Sequence, residues 1–162
     1  MGVACAAGKG HYGCHLGRAR RFGGDTVEHQ TWGQIFALAF GAGYLVSGFA
    51  AYAYSDGLTG GSPDDRLLFF RTNYVHAIVH VALGVGWLVA FRKAGTARSI
   101  NLLFGAILLI LAILGFTGME FMHTFINAGG SVDADNFLHL GSGVAALFFG
   151  LAGTEPRGAP TA

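Results

Sequence analysis

Four stretches of the chain are apolar and rich in small residues, and polar segments containing Gly or Pro separate them. From Trp32 to Tyr54, WGQIFALAFGAGYLVSGFAAYAY carries no charge and is long enough to cross a hydrocarbon core as a helix. SDGLTGGSP interrupts it. Ser62-Pro63-Asp64-Asp65 then supplies a capping hydroxyl, a proline for the first turn and acids for the positive dipole end, which predicts a second helix over 64–91, with a start near Asn73 as the alternative. After the polar turn RKAGTAR, the run from Ser99 to Met119 is the clearest spanning segment. A fourth run, Asn136 to Gly153, is short for a span but sufficient where the bilayer thins around it.

The pattern predicts an all-α polytopic integral membrane protein: four transmembrane helices over 32–54, 64–91, 99–119 and 136–153, arranged as two tandem hairpins. Residues 1–31 are Gly-rich and basic without an apolar period, which reads as a flexible arm, and 154–162 form a polar tail. Composition agrees. Charged residues make up 12% of the chain, about half the share usual in a soluble domain, so the lipid bilayer is the expected surroundings. No basic face interleaved with aromatics is present, which argues against a nucleic-acid partner.

Basic residues set the expected orientation, because Lys and Arg are retained on the cytoplasmic side. Lys9, Arg18, Arg20 and Arg21 lie in the arm, and Arg92, Lys93 and Arg98 between the second and third spans. The other side holds Asp56, Asp64, Asp65, Glu120, Asp133 and Asp135 against Arg66 and Arg71. Both termini are therefore expected in the cytoplasm. Ala51-Tyr52-Ala53 resembles a signal-peptidase site, but the long leading arm and the internal symmetry disfavour cleavage there. That symmetry pairs HVALG (His80 to Gly84) with HLGSG (His139 to Gly143), and FGAGYLVSG (Phe40 to Gly48) with FGAILLILA (Phe104 to Ala112), so the second hairpin reads as a diverged copy of the first. A second register, matching Asn73-x-x-His76 with Asn136-x-x-His139, preserves the same hairpin repeat.

The stretches NYVHAIVHVALG and VDADNFLHLGSG resemble the bacterial membrane family catalogued as domain of unknown function 4383. Its pattern is roughly Asn-x-x-His-Asn-x-x-His-x-x-x-Gly in the second helix and Asp-Asn-x-Leu-His-Leu in the fourth. These fall on Asn73, His76, His80 and Gly84, and on Asp135, Asn136, Leu138, His139 and Leu140. The chain departs at Ala77, where the family usually has Asn. The resemblance covers about residues 32 to 153 and implies a four-helix protein of the bacterial plasma membrane, without assigning an activity.

Asn73, His76, His80 and Gly84 share one helical stripe, and Asn136, His139 and Gly143 make a shorter equivalent. Polar side chains in a bilayer are costly and turn toward partners in the bundle, so three readings arise. The first is a structural polar cluster: Asn and Asp cap helices, and histidines fasten one helix to another. The second is an axially ligated tetrapyrrole, haem b or a chlorin, held by His80 and His139 with His76 as alternative ligand; Gly84 and Gly143 would then make room for the flat ring. The third is a divalent metal ion on His76 and His80, completed by His139, His123 or Glu120. A metalloprotease arrangement is absent, because no Glu lies inside the His-x-x-x-His.

Rows of small residues at Ala39, Gly43 and Ser47, at Ala82, Gly86 and Ala90, and at Ser142, Ala146 and Gly150 suit close helix packing, while Trp32, Tyr54 and Trp87 are placed as interfacial anchors. Cys5 and Cys14 fit neither a zinc knuckle nor covalent haem attachment. No nucleophile and base pair, phosphate loop or paired carboxylate is present, so the chain is not expected to be an enzyme by itself. The leading expectation is a small accessory or scaffold subunit of a larger membrane complex. A haem-binding or pigment-binding protein and a divalent metal-binding protein are the alternatives.

Overall fold

The computed structural model describes residues 30–59, 66–127 and 130–155, without the side chain of His123. The cysteines and basic residues of the arm, the Ser62-Pro63-Asp64-Asp65 segment and most of the tail lie outside the described residues. Among the described residues, five helices carry the fold: α1 (Trp32–Ala53), α2 (Tyr74–Ala90), α3 (Ala94–Phe116), α4 (Glu120–Ile126) and α5 (Ala134–Leu151). α1 packs along α2, and α3 along α5, so the expected two hairpins are present. Among the described residues, two helices, α1 and α3, are long and apolar enough to cross a membrane; α2 is apolar but shorter.

Local chemistry sets the helix boundaries. Thr31 starts α1 with a capping box: its hydroxyl accepts the Gln34 amide at 3.2 Å, and Gln34 Oε1 accepts the Thr31 amide at 2.9 Å. α2 begins later than the 64–91 expectation. Asn73 holds an extended backbone and its Oδ1 accepts the His76 amide at 2.8 Å, which makes Asn73 the cap and Tyr74 the first helical residue. Ahead of it, β1 (Arg66–Leu67) and β2 (Phe70–Arg71) pair antiparallel around a tight turn with Leu68 at φ +61°. The hairpin and the helix compete for the same backbone amides, and the Asn73 cap resolves the boundary.

α3 starts at Ala94, five residues before the expected Ser99, because Thr96 and Arg98 are exposed and need no burial to join the first turns. It ends where Gly118 takes φ +68°, a conformation that only glycine adopts freely. The short α4 that follows was not expected from the sequence. Asn127 ends it in the left-handed region.

Glycines let the paired helices touch through their backbones. A Cβ at Gly84 would come within 2.7 Å of Leu45 N and 2.9 Å of Gly41 O; one at Gly143 would meet the Leu109 side chain at 2.9 Å and Gly105 O at 3.0 Å. In return, Gly41 takes the Leu88 side chain and Gly105 takes Leu147. Gly41, Leu45, Gly84 and Leu88 thus have counterparts in Gly105, Leu109, Gly143 and Leu147, one set in each hairpin. This decides the repeat register: His80 corresponds to His139, in the register of the shared His-x-x-x-Gly. Asn73 and Asn136 are not equivalent, since Asn73 caps α2 whereas α5 is capped by Asp133.

The two ends of the bundle differ. One is an aromatic core of Phe36, Tyr44 and Trp87 with Leu83 and Leu108, against which Phe40, Phe104 and Phe149 pack. Trp87 is fully buried, not an interfacial anchor, whereas Trp32 and Tyr54 are 51% and 60% exposed as anchors require. At the other end, α4 packs on the start of α2 and on α3, and the buried residues around the starts of α2 and α5 are mostly polar.

Candidate metal centre

The i, i+4 spacing puts His76 and His80 on one face of α2, and α5 brings His139 toward them from the other hairpin. α2 and α5 are not packed closely on each other, so the imidazoles fill the space between them. Ring centroids of His76 and His80 are 4.7 Å apart, those of His76 and His139 6.0 Å, and those of His80 and His139 6.5 Å. All three residues are buried, and one nitrogen from each lies within 4.8 Å of the others. Nε2 of His80 and Nδ1 of His139 are buried without a hydrogen-bond partner, while the His76 ring faces the backbone of Arg71 and Ile126.

Two residues of α1 border the cluster. The Tyr44 ring sits 4.8 Å from that of His80. Ser47 Oγ lies 3.0 Å from His80 Nδ1 and donates to Tyr44 O at 3.1 Å.

On the outer side, Asp135 stands one turn before His139, almost completely buried and with its Oδ2 unpartnered. Its backbone amide is accepted by Asp133 Oδ1 at 3.2 Å, and Asp133 Oδ2 lies 3.8 Å from Arg71 Nε.

Buried asparagines fasten the segments that close this end. Asn73 Nδ2 donates to Phe125 O at 3.1 Å and Asn127 Nδ2 to Thr72 O at 3.0 Å, tying α4 to the start of α2. Asn136 Nδ2 is within 3.2 Å of both Gly130 O and Ser131 O, holding the loop before α5. Met122 and Ile126 of α4 add an apolar seal against Val75, Leu111 and Leu114.

The structure brings His76, His80 and His139 together, while Asp135 and Asn136 are buried in the first turn of α5. Glu120 is exposed at the start of α4, apart from the buried cluster, and the side chain of His123 lies outside the described residues. The slot expected at Gly84 and Gly143 for a flat ring is instead filled by the neighbouring helices, α1 at Gly84 and α3 at Gly143. Tyr44, Asn101 and Asn127 are not singled out by the sequence pattern, and Ser47 was expected only as a small residue in a helix-packing row. Only Asn127, in an Asn-Ala-Gly-Gly breaker, had a local signal, as a helix stop.

One protein family, described as a domain of unknown function (DUF4383), matches residues 34–152. No curated protein and no solved structure matches the chain.

Proposed function

We propose that this chain, which belongs to the DUF4383 family, is a four-span membrane protein that holds a divalent transition-metal ion between His76, His80 and His139. The observation that carries the reading is the convergence of three buried histidines whose nitrogens lie within 4.8 Å of one another, with Nε2 of His80 and Nδ1 of His139 unpartnered. A neutral imidazole carries one N–H and one lone pair, so histidines that serve packing alone would each be expected to bond a neighbour. Leaving such a group unpaired costs about 1–3 kcal/mol. Packing does account for Asn73, Asn127 and Asn136, whose amides reach backbone carbonyls. It does not account for Nε2 of His80 and Nδ1 of His139, which stay unpartnered although His80 Nδ1 meets Ser47 Oγ.

An ion satisfies them together. In a tetrahedral shell with bonds near 2.1 Å, ligand nitrogens stand about 3.4 Å apart, within reach of the present spacing by small rotations. Imidazole selects borderline ions such as Zn²⁺, Co²⁺, Ni²⁺ and Cu²⁺ over Mg²⁺ and Ca²⁺. A tetrapyrrole fits less well, since a macrocycle between His80 and His139 would run into the His76 ring.

The bilayer setting is supported by an inverted distribution of polarity. Val46, Phe49, Val89, Ile110, Ile113 and Phe148 point outward, while Asn73, Asn101, Asn136 and the three histidines are inside. α2 and α5, with 17 and 18 residues, reach roughly 26 Å by the helical rise, short of the hydrocarbon thickness by an amount that local thinning absorbs. The exposed Arg92 and Lys93 between α2 and α3 favour a cytoplasmic position for that turn, with the histidines in the outer half.

The test is Co²⁺ titration of chelator-stripped protein in detergent. The expected result is tetrahedral visible absorption saturating at one ion per chain, displaced by Zn²⁺ and not by Mg²⁺, and lost in His139→Ala. Absence of saturable absorption, or saturation that survives each single histidine replacement, would overturn the reading.

A further inference from the structure

Resting on the ion site just described, we infer that Ser47 is a positioning residue that holds His80 in the Nδ1–H tautomer and so presents its Nε2 lone pair to the metal. The Ser47 hydroxyl has one proton, and it lies 3.1 Å from Tyr44 O, an acceptor only. With that proton committed to the carbonyl, Oγ can only accept from His80 Nδ1, 3.0 Å away. His80 Nδ1 therefore carries the proton. Nε2, buried and without a hydrogen-bond partner, is left with its lone pair on the side shared with His76 and His139.

The opposite assignment is worse. If Ser47 donated to Nδ1, the Nε2–H would be a buried donor with no acceptor, and Tyr44 O would lose its extra bond. Metal-bound histidines commonly donate their second nitrogen to an oxygen, which fixes the tautomer and the ring orientation, and loss of such a partner lowers metal affinity about 10–100-fold. The device belongs to one hairpin only. In the repeat register set by Gly41 and Gly105, the counterpart of Ser47 is Leu111, so His139 has no matching hydroxyl.

The experiment uses the full chain with ¹⁵N-labelled histidine in detergent, first without metal. Long-range proton–nitrogen correlations should report His80 protonated at Nδ1 in the native protein and in Ser47→Thr, and a mixture of tautomers in Ser47→Ala. Co²⁺ affinity should fall about tenfold or more in Ser47→Ala and be largely restored in Ser47→Thr. An Nε2–H tautomer in the native protein, or a tautomer and affinity unchanged in Ser47→Ala, would overturn the inference. A Ser47-dependent Nδ1–H tautomer in a protein that takes up no Co²⁺ would instead overturn the ion site while upholding the role of Ser47 in orienting the ring.

Discussion

Trp87 Nε1 donates to Asn101 Oδ1 at 2.9 Å, joining the two hairpins at the end of the bundle opposite the histidines. Asn101 also donates from Nδ2 to Gly33 O at 3.0 Å, so one buried amide ties α3 to both α2 and α1. Asn101→Ala should remove both bonds and strand the indole N–H, lowering stability by about 1–3 kcal/mol. Thermal unfolding in detergent, followed by Trp fluorescence, checks it; an unchanged transition would show that the tie contributes nothing.

Gly84 and Gly43 make a contrasting pair. A methyl at Gly84 would press on the Leu45 backbone, which cannot yield as a side chain does, whereas one at Gly43 meets nothing within 4 Å. Gly84→Ala is expected to destabilise by about 1–3 kcal/mol or to force α1 and α2 apart. Gly43→Ala should be neutral or slightly stabilising. Equal melting temperatures for the two variants would contradict the packing described.

Asn127 performs two tasks, ending α4 at φ +54° and donating to Thr72 O. Asn127→Gly keeps the backbone conformation and loses only the bond, while Asn127→Ala loses both. The alanine variant should therefore be the less stable by about 1 kcal/mol. Denaturation of the two side by side decides the order, and the reverse order would remove the backbone argument.

Ion binding to the folded state should raise stability by mass action. With free Co²⁺ at about 100 times its dissociation constant, the gain is about 2.7 kcal/mol, and chelation should reverse it. His139→Ala should melt at the same temperature with and without the ion. A shift of equal size in that variant would point to binding elsewhere.

The proposed four-span orientation predicts opposite labelling at the two ends. In a background lacking Cys5 and Cys14, Lys93→Cys should react with an impermeant thiol reagent only after the membrane is opened, and Val132→Cys, at a position 84% exposed, in intact cells. Labelling of both from outside would exclude this topology.

The apolar runs determined by themselves that the protein is helical, approximately where four of its helices lie, and that they pair as repeated hairpins, because helical period and chain breakers are local properties. The His-x-x-x-His spacing likewise put His76 and His80 on one face before any fold was known. Helix boundaries were less legible. Ser62-Pro63 and Asn73 are both good start signals, and only the Arg66 to Arg71 hairpin together with the Asn73 cap separates them. α4 carries no long apolar period, so its existence depends on the seal that Met122 and Ile126 make and on the asparagines that hold it. The convergence of His139 with the α2 pair, the filling of Gly84 and Gly143 by neighbouring helices, and the placement of Ser47 against His80 are relations between distant positions. They arise from the way α1, α2, α3 and α5 cross, which the tertiary structure alone decides, since a side chain's partner across a bundle depends on helix rotation and separation, not on its sequence neighbours.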